Sequence, residues 1–433
     1  MSGLAEILLK NGCRVSGSDA RDSHLTEKLS KMGALIHIGH SAKNIDKPDL
    51  VVYSAAIKPD NCEYQAARGS GAVIYDRAKL LGELMKLYEY PVAVSGTHGK
   101  TTATSMFAHV LLAAELDPTV LVGGELKAIG GNVRTGESGY FVSEACEYHQ
   151  SFLRFFPLVS IILNIEEDHL DYFRDLEHII ETFNKLSMIT PDTGAVVINA
   201  DDENVKKAVM GTSKNIITFS REGEADYSAK NIAYGEKGFA AYDLYERGAF
   251  ACRINLSVPG AHNISNSLGV IAAARFLDIE IGDIAEGLLS YTGVGRRFEY
   301  VGTRREVTVI DDYAHHPTEI KATIKAARAA CNGDIWCVFQ PHTYTRTLAL
   351  FDDFVRALSG DVKVIVLDIY AAREADTGLV NAKMVADKIP ASVYMPDFDD
   401  AVDYLHKNAK PNDMIITMGA GDVYKIGKKF VEQ

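Results

Sequence analysis

The chain has 433 residues, 47% of them apolar and 24% charged, and a formal net charge of −13. That length implies roughly two to four domains, and the acidic balance excludes a general nucleic-acid or anionic-membrane binder, which needs basic surface. No apolar run approaches the roughly 18–20 residues that span a bilayer, no signal peptide is evident at Met1–Lys10, and six cysteines without a CxxC pair fit reduced thiols in a cytoplasmic protein.

The elements fall into three blocks. Residues 1–90 alternate helix and strand: Ser2–Asn11 is helical, with Leu4, Ile7 and Leu8 on one face. A short strand over Arg14–Gly17 ends at Asp19, Leu25–Met32 is a second helix, and Asp49–Ser54 is a buried strand. The alternation predicts a parallel sheet, although the block opens on a helix where such domains open on a strand. Residues 91–295 begin with a strand at Val92–Ser95 and a helix at Thr102–Ala114, followed by strands at Gly139–Ser143, Leu158–Asn164 and Ala195–Asn199. Short alternating runs over 215–258 predict antiparallel strands, and Asn263–Phe276 returns to helix. Residues 296–433 predict a second α/β sheet, with strands at Val307–Asp311, Trp336–Gln340, Val362–Asp368 and Met414–Met418 and helices at Pro317–Ala330 and Leu348–Leu358.

Between the strand at Val92–Ser95 and its helix lies Gly96-Thr97-His98-Gly99-Lys100-Thr101-Thr102. Glycines there let backbone N–H groups turn around phosphate oxygens, and the helix N-terminus adds partial positive charge. Lys100 is expected on the β- and γ-phosphates of ATP and the Thr101 hydroxyl on Mg2+. The loop is short, with Val94 where the common pattern has its first glycine. A tight strand-to-helix turn with a chance lysine is the bland alternative.

Strand ends on the same side should carry the partners of this loop. Glu144 stands just past one strand, and Asn164-Ile165-Glu166-Glu167-Asp168-His169-Leu170-Asp171 follows another. A carboxylate there can hold magnesium. His169 by spacing alone reads as a hydrogen-bonding or capping residue, because magnesium prefers oxygen, and the acidic run 166–168 reads equally as a solvated helix start. Asn263 and Asn266 suit an adenine edge, with an N-cap at Asn263 as the alternative. Arg296 and Arg297 sit where one block meets the next and could cross to a phosphate. Two polar clusters, Asp311–Glu319 and Gln340–Arg346, follow strands and should line one crevice, with Thr318 and Glu319 as possible helix-start supports.

Gathered in order, the segments Ser2–Glu6, Gly17–Asp19, Gly96–Thr102, Glu144–Glu147, Asn164–Tyr172, His262–Asn266, Gly295–Phe298, Asp311–Glu319, Gln340–Arg346 and Leu367–Ala372 resemble the Mur ligases over almost the whole chain. The resemblance implies an α/β protein of three domains: a Rossmann-like domain for the UDP-sugar (1–90), a central P-loop ATPase domain with a mixed sheet (91–295) and a Rossmann-like C-terminal domain (296–433). It implies ATP and Mg2+ as cofactors and UDP-N-acetylmuramate and L-alanine as substrates, joined through an acyl phosphate in a cytoplasmic monomer or dimer. By the same resemblance, Gly96–Thr102 with Lys100 and Thr101 hold phosphate, and Thr101, Glu144 and His169 hold metal. Asn263, Asn266, Arg296, Arg297 and Asp312 contact the nucleotide. His315, His342 and Arg346 contact the amino acid and the intermediate, and Asp19, His40 and Ser54 face the UDP-sugar. The strand and glycine-rich loop that precede Ser2 in the family are not in this sequence, and Thr343 replaces an arginine of some relatives, which puts more weight on Arg346. Two alternatives stay open: a recycling ligase that joins a tripeptide to the same nucleotide sugar, and a nucleotide-binding protein without ligase activity.

Overall fold

The computed structural model describes residues 1–433 except Asp171, Glu236, Lys237 and Arg373, so the Asp171 end of the acidic motif lies outside the described residues. The N-terminal part runs α1 (Ser2–Lys10), β1 (Ser16–Asp19), α2 (His24–Lys31), β2 (Leu35–Ile38), β3 (Leu50–Tyr53), α3 (Cys62–Ser70), β4 (Val73–Asp76) and α4 (Arg77–Met85). The single parallel sheet expected there is instead two parallel ladders. β1 pairs with β2, Ser16 opposite Leu35, and β3 pairs with β4, Leu50 opposite Val73. No further strand among the described residues joins them. The Glu63 carboxylate, at the start of α3, accepts from Ser18 Oγ (2.5 Å), Ser41 N–H (3.1 Å) and Asn44 Nδ2 (2.6 Å), and so ties the β1–β2 end to α3.

The central part runs β5 (Tyr90–Ser95), α5 (Lys100–Ala113), β6 (Thr119–Leu126), β7 (Gly131–Arg134), β8 (Tyr140–Glu144), β9 (Val159–Ile162), α6 (Leu176–Ile189), β10 (Ala195–Asn199), α7 (Glu203–Val209), β11 (Ile216–Ser220), β12 (Tyr227–Tyr234), β13 (Phe239–Glu246), β14 (Ala249–Pro259), α8 (His262–Phe276) and α9 (Ile281–Ser290). They build one sheet of ten strands in the order β14-β13-β12-β11-β10-β9-β5-β8-β6-β7. β5 is fully buried beyond its first residue, as a strand covered on both faces must be. It pairs in parallel with β8 on one side and β9 on the other. That reversal of strand order opens a crevice at the C-terminal end of β5. The antiparallel run starts later than the sequence suggests: β11 is parallel to both β10 and β12, and within 215–258 the antiparallel pairs are β12–β13 and β13–β14; at the sheet's other edge β6–β7 is antiparallel too.

The C-terminal part runs β15 (Glu299–Arg304), β16 (Val307–Asp312), α10 (Pro317–Ala330), β17 (Ile335–Phe339), α11 (Tyr344–Ala349), α12 (Phe351–Leu358), β18 (Lys363–Val366), α13 (Ala382–Ala386), β19 (Val393–Tyr394), α14 (Phe398–Asn408), β20 (Met414–Met418) and α15 (Tyr424–Glu432). Its sheet has the order β15-β16-β20-β17-β18-β19. The helix expected over Leu348–Leu358 is two helices separated at Leu350. β20 lies between β16 and β17, so the two polar clusters sit one strand apart rather than on neighbouring strands.

Packing differs between the joints. Leu4 and Ile7 of α1 and Leu80, Leu81, Leu84 and Met85 of α4 share one apolar core with Phe141, Phe152 and Phe183 of the central part. Gly82 lets α4 approach closely: a Cβ there would fall 1.8 Å from the Arg154 carbonyl oxygen. The C-terminal sheet has its own cores, drawn from residues 298 onward. No helix among the described residues is long and apolar enough to cross a membrane.

Candidate active site

The phosphate loop closes β5 and hands over to α5, which starts at Lys100 with Gly99 as its N-cap (φ 84°). A side chain at Gly99 would meet Asn266 Oδ1 at 2.6 Å, so the loop and α8 can approach only because that position is glycine. Asn164 clamps the loop: its Oδ1 accepts from His98 N–H (2.7 Å), its Nδ2 donates to His98 O (3.0 Å), and its carbonyl accepts from Thr97 N–H (3.0 Å). Lys100 Nζ donates to Gly96 O (2.5 Å), Thr97 O (3.0 Å) and Glu147 (3.0 and 3.2 Å). Burial alone would lower the ammonium pKa, but the neighbouring acidic groups together, Glu147 foremost, outweigh it and raise the pKa, so Lys100 stays charged.

Glu144 ends β8 directly opposite Val94 of β5, and its Oε1 accepts from Gly123 N–H at 2.5 Å. Thr101 is in the first turn of α5. His169 has a left-handed backbone (φ 53°) and its Nε2 lies 4.0 Å from Glu147 Oε1 and 3.8 Å from Asp168 Oδ2. Its ring stacks on Tyr148, with centroids 4.4 Å apart. The helix-start reading of this segment fails. α6 begins only at Leu176 and is capped by Asp175, so neither His169 nor the run Glu166–Asp168 opens a helix. Instead the loop meets the C-terminal part: Glu166 accepts from Thr318 Oγ1 (2.6 Å), Glu167 O accepts from His316 Nε2 (3.1 Å), and Asp168 Oδ1 accepts from Arg346 Nε (3.2 Å) and Nη2 (2.9 Å).

Beside the loop is a cavity of about 650 Å³ whose lining includes His98, Asn263, Asn266, Arg297, Asp312 and Glu319. Asn263 is not the helix cap: α8 starts one residue earlier, at His262, with Ala261 as N-cap. The Asn263 amide instead donates to Pro259 O (2.7 Å) and accepts from Asn266 Nδ2 (3.1 Å). Burial pushes the Asp312 carboxyl up to about 6, against the pull of Arg297. The two arginines separate. Arg297 lines the cavity and pairs with Glu319 at 3.3 Å. Arg296 braces the C-terminal part, donating to Asp311 (2.9 Å), Gly419 O (2.7 Å) and Gly421 O (3.0 Å) with Tyr313 and Tyr424 over its guanidinium. His98 lies between Glu166 (3.5 Å) and Glu319 (3.4 Å). Burial opposes its charge, but the two carboxylates raise it to about 9.

Across the junction, His315 Nδ1 donates to Tyr313 O (3.0 Å), and His342 Nδ1 accepts from Arg346 Nη1 (3.1 Å). Burial brings both imidazoles down to about 4, so both are neutral bases at pH 7. Their ring centroids are 5.8 Å apart. Glu319 does more than support its helix: it accepts from the His315 and His316 backbone N–H groups and also pairs with His98 and Arg297.

Three family descriptions tile this chain: the Mur ligase family catalytic domain on residues 1–89, the Mur ligase middle domain on 94–274, and the Mur ligase glutamate ligase domain on 296–421. A UDP-N-acetylmuramate–L-alanine ligase of Acetivibrio thermocellus is 53% identical over 100% of this chain and 93% of its own. The chain belongs to the Mur ligase family. The crystal structure of a UDP-N-acetylmuramate–alanine ligase from Thermotoga maritima superposes with a TM-score of 0.82 at 30% identity, covering 100% of this chain and 96% of its own. A murein peptide ligase from Psychrobacter arcticus gives 0.72 at 25% identity over 100% and 96% of the two chains.

Within this Mur ligase, the three N-terminal candidates divide between the ladders. Asp19 ends β1, where its Oδ1 accepts from Arg21 N–H (3.2 Å) and its carbonyl from Gly39 N–H (2.8 Å), which brings it beside His40. His40 Nδ1 lies 3.3 Å from Ser18 Oγ and 3.5 Å from Glu63. Ser54 follows β3 and accepts from Ala56 N–H (3.3 Å) in a turn of the other ladder. The sequence pattern singles out neither Glu63 nor Glu147, and marks Asp168 only as part of the acidic run 166–168. Glu147 and Asp168 lie inside the segments Glu144–Glu147 and Asn164–Tyr172, yet nothing in their spacing shows that they would pair with cations distant in the chain.

Proposed function

We propose that this Mur ligase joins L-alanine to UDP-N-acetylmuramate at the expense of ATP, in the cytoplasmic synthesis of the peptidoglycan precursor. The observation that carries this reading is the meeting of Lys100, Glu144 and His169 around the end of β5 with neutral His315 and His342 and with Arg346 from the C-terminal part. Residues 1–90 take the nucleotide sugar through Asp19, His40 and Ser54. Residues 91–295 take ATP, with Gly96–Thr102 on the phosphates and Asn263 and Asn266 beside the adenine. Residues 296–433 supply Arg297's neighbour Asp312 and the amino-acid site.

Thr101, Glu144 and His169 would hold a magnesium ion; a hydroxyl and a carboxylate suit its preference for oxygen, and the ion would offset phosphate charge. Lys100, already carrying its proton, balances the γ-phosphate as a sugar carboxylate oxygen takes the phosphoryl group and ADP leaves. Arg346 binds the carboxylate of L-alanine. The amine then attacks the acyl carbon, phosphate departs, and His315 or His342 accepts the amine proton. Contacts of the C-terminal part with Glu166, Glu167 and Asp168 close the site against water.

The test is incubation of the protein with ATP, Mg2+, UDP-N-acetylmuramate and L-alanine, with mass detection of UDP-N-acetylmuramyl-L-alanine. Product from L-alanine is expected. Product from the tripeptide alone would make the protein a recycling ligase, and ATP binding without any amide would make it a nucleotide-binding protein.

A further inference from the structure

The Asp168 side chain is buried at the junction of the central and C-terminal parts, 9% exposed, and the side chain of its partner Arg346 is nearly so, at 11%. One oxygen of Asp168 does three things. It accepts from the next residue's N–H (His169, 2.7 Å), and from Arg346 Nε (3.2 Å) and Nη2 (2.9 Å). The first bond holds the left-handed turn at His169 (φ 53°). The other two fix the Nε edge of the guanidinium, while Nη1 is fixed by His342 at 3.1 Å. A guanidinium held at three of its donors keeps a single orientation, and the planar fork can then receive a carboxylate without first losing rotamer freedom. Arg346 belongs to α11 of the C-terminal part and Asp168 to the loop after β9 of the central part. The fixed orientation therefore exists only when the two parts are together.

We propose that Asp168 is a positioning residue of the amino-acid site: by aiming Arg346, it makes capture of the amine substrate's carboxylate depend on closure of the C-terminal part. The inference rests on the reading of Arg346 as the carboxylate-binding group. It assigns Asp168 no contact with ATP, although Asp168 adjoins His169. Removing its charge should therefore weaken the amino acid and spare the nucleotide.

The experiment is steady-state kinetics of Asp168→Asn, which keeps size and an acceptor oxygen but removes the charge, with Arg346→Lys and the double variant alongside. Expected for Asp168→Asn is a rise in KM for L-alanine of about tenfold or more, a KM for ATP within about twofold of wild type and a kcat within about threefold. In the Arg346→Lys background the Asn substitution should add little, because the group being aimed is already altered. A KM for L-alanine unchanged in Asp168→Asn overturns the proposal. So does a parallel rise of both KM values, or a fall in kcat alone, either of which marks a disturbed His169 loop. Should the Asn variant not fold, Asp168→Ser is judged by the same split. The wild-type arm separates the two readings: if wild type forms no amide with L-alanine, the proposed function fails, and the split is then measured with whichever amine substrate the protein uses.

Discussion

At the scale of single residues, the site is a set of cations already matched to internal carboxylates. Lys100 pairs with Glu147, which is 2% exposed. Removing the lysine therefore leaves a buried carboxylate uncompensated, which costs roughly 3–5 kcal/mol. Lys100→Ala should abolish turnover and also lower the melting temperature. The double variant Lys100→Ala/Glu147→Gln should recover the melting temperature but not turnover, measured by thermal unfolding and phosphate release. Recovery of neither would show that Lys100 supports the loop in another way. Lys100 itself was legible, because glycine, lysine and threonine after an apolar strand announce a phosphate site. Glu147 was not, since a carboxylate pairing with a lysine 47 positions away leaves no trace in spacing.

At the scale of elements, the strands and helices flanking the loop follow from pattern: β5 is a short apolar run, and α10 spans Pro317–Ala330 as its proline start and alanine-rich body indicate. What the pattern lacked was pairing. Strand order depends on long-range contacts, so neither the separation of the N-terminal ladders nor the place of β20 between β16 and β17 could be read from alternation. The acidic run 166–168 misled for a related reason: acids before a helix suit its dipole, but here tertiary partners claim them. Close approach is the element-scale property most open to test. Gly82→Ala would push α4 off the 154–155 segment, and overpacking of this kind costs about 1–3 kcal/mol. Denaturant unfolding should show that loss, whereas Gly69→Ala in α3, where a Cβ meets nothing within 4 Å, should show none.

At the scale of the whole molecule, His98 joins the central part to the C-terminal part through Glu319, with Glu166 of its own part on the other side of the ring. Its pKa is raised on folding to about 9 from an ordinary value near 6.5. The folded state thus binds the proton more tightly, so the stabilisation is complete below pH 6.5 and fades as pH climbs to 9. Other groups face the same junction: Glu166, Glu319, His316, Thr318 and Arg297. Wild type should lose melting temperature across that window, and His98→Gln should flatten the loss; an equal slope in both would assign it to another group.

The two joints of the molecule are made of different materials. Oil welds the first, since α1 and α4 share a core with the central sheet, and the second is fastened by acids seated on basic side chains, Asp168 on Arg346 and Glu319 on His98. A greasy weld carries no charge for moderate salt to screen or for pH to titrate. A charged fastening answers to dissolved salt and to pH, so those two variables should act on the second joint and leave the first packed as one piece.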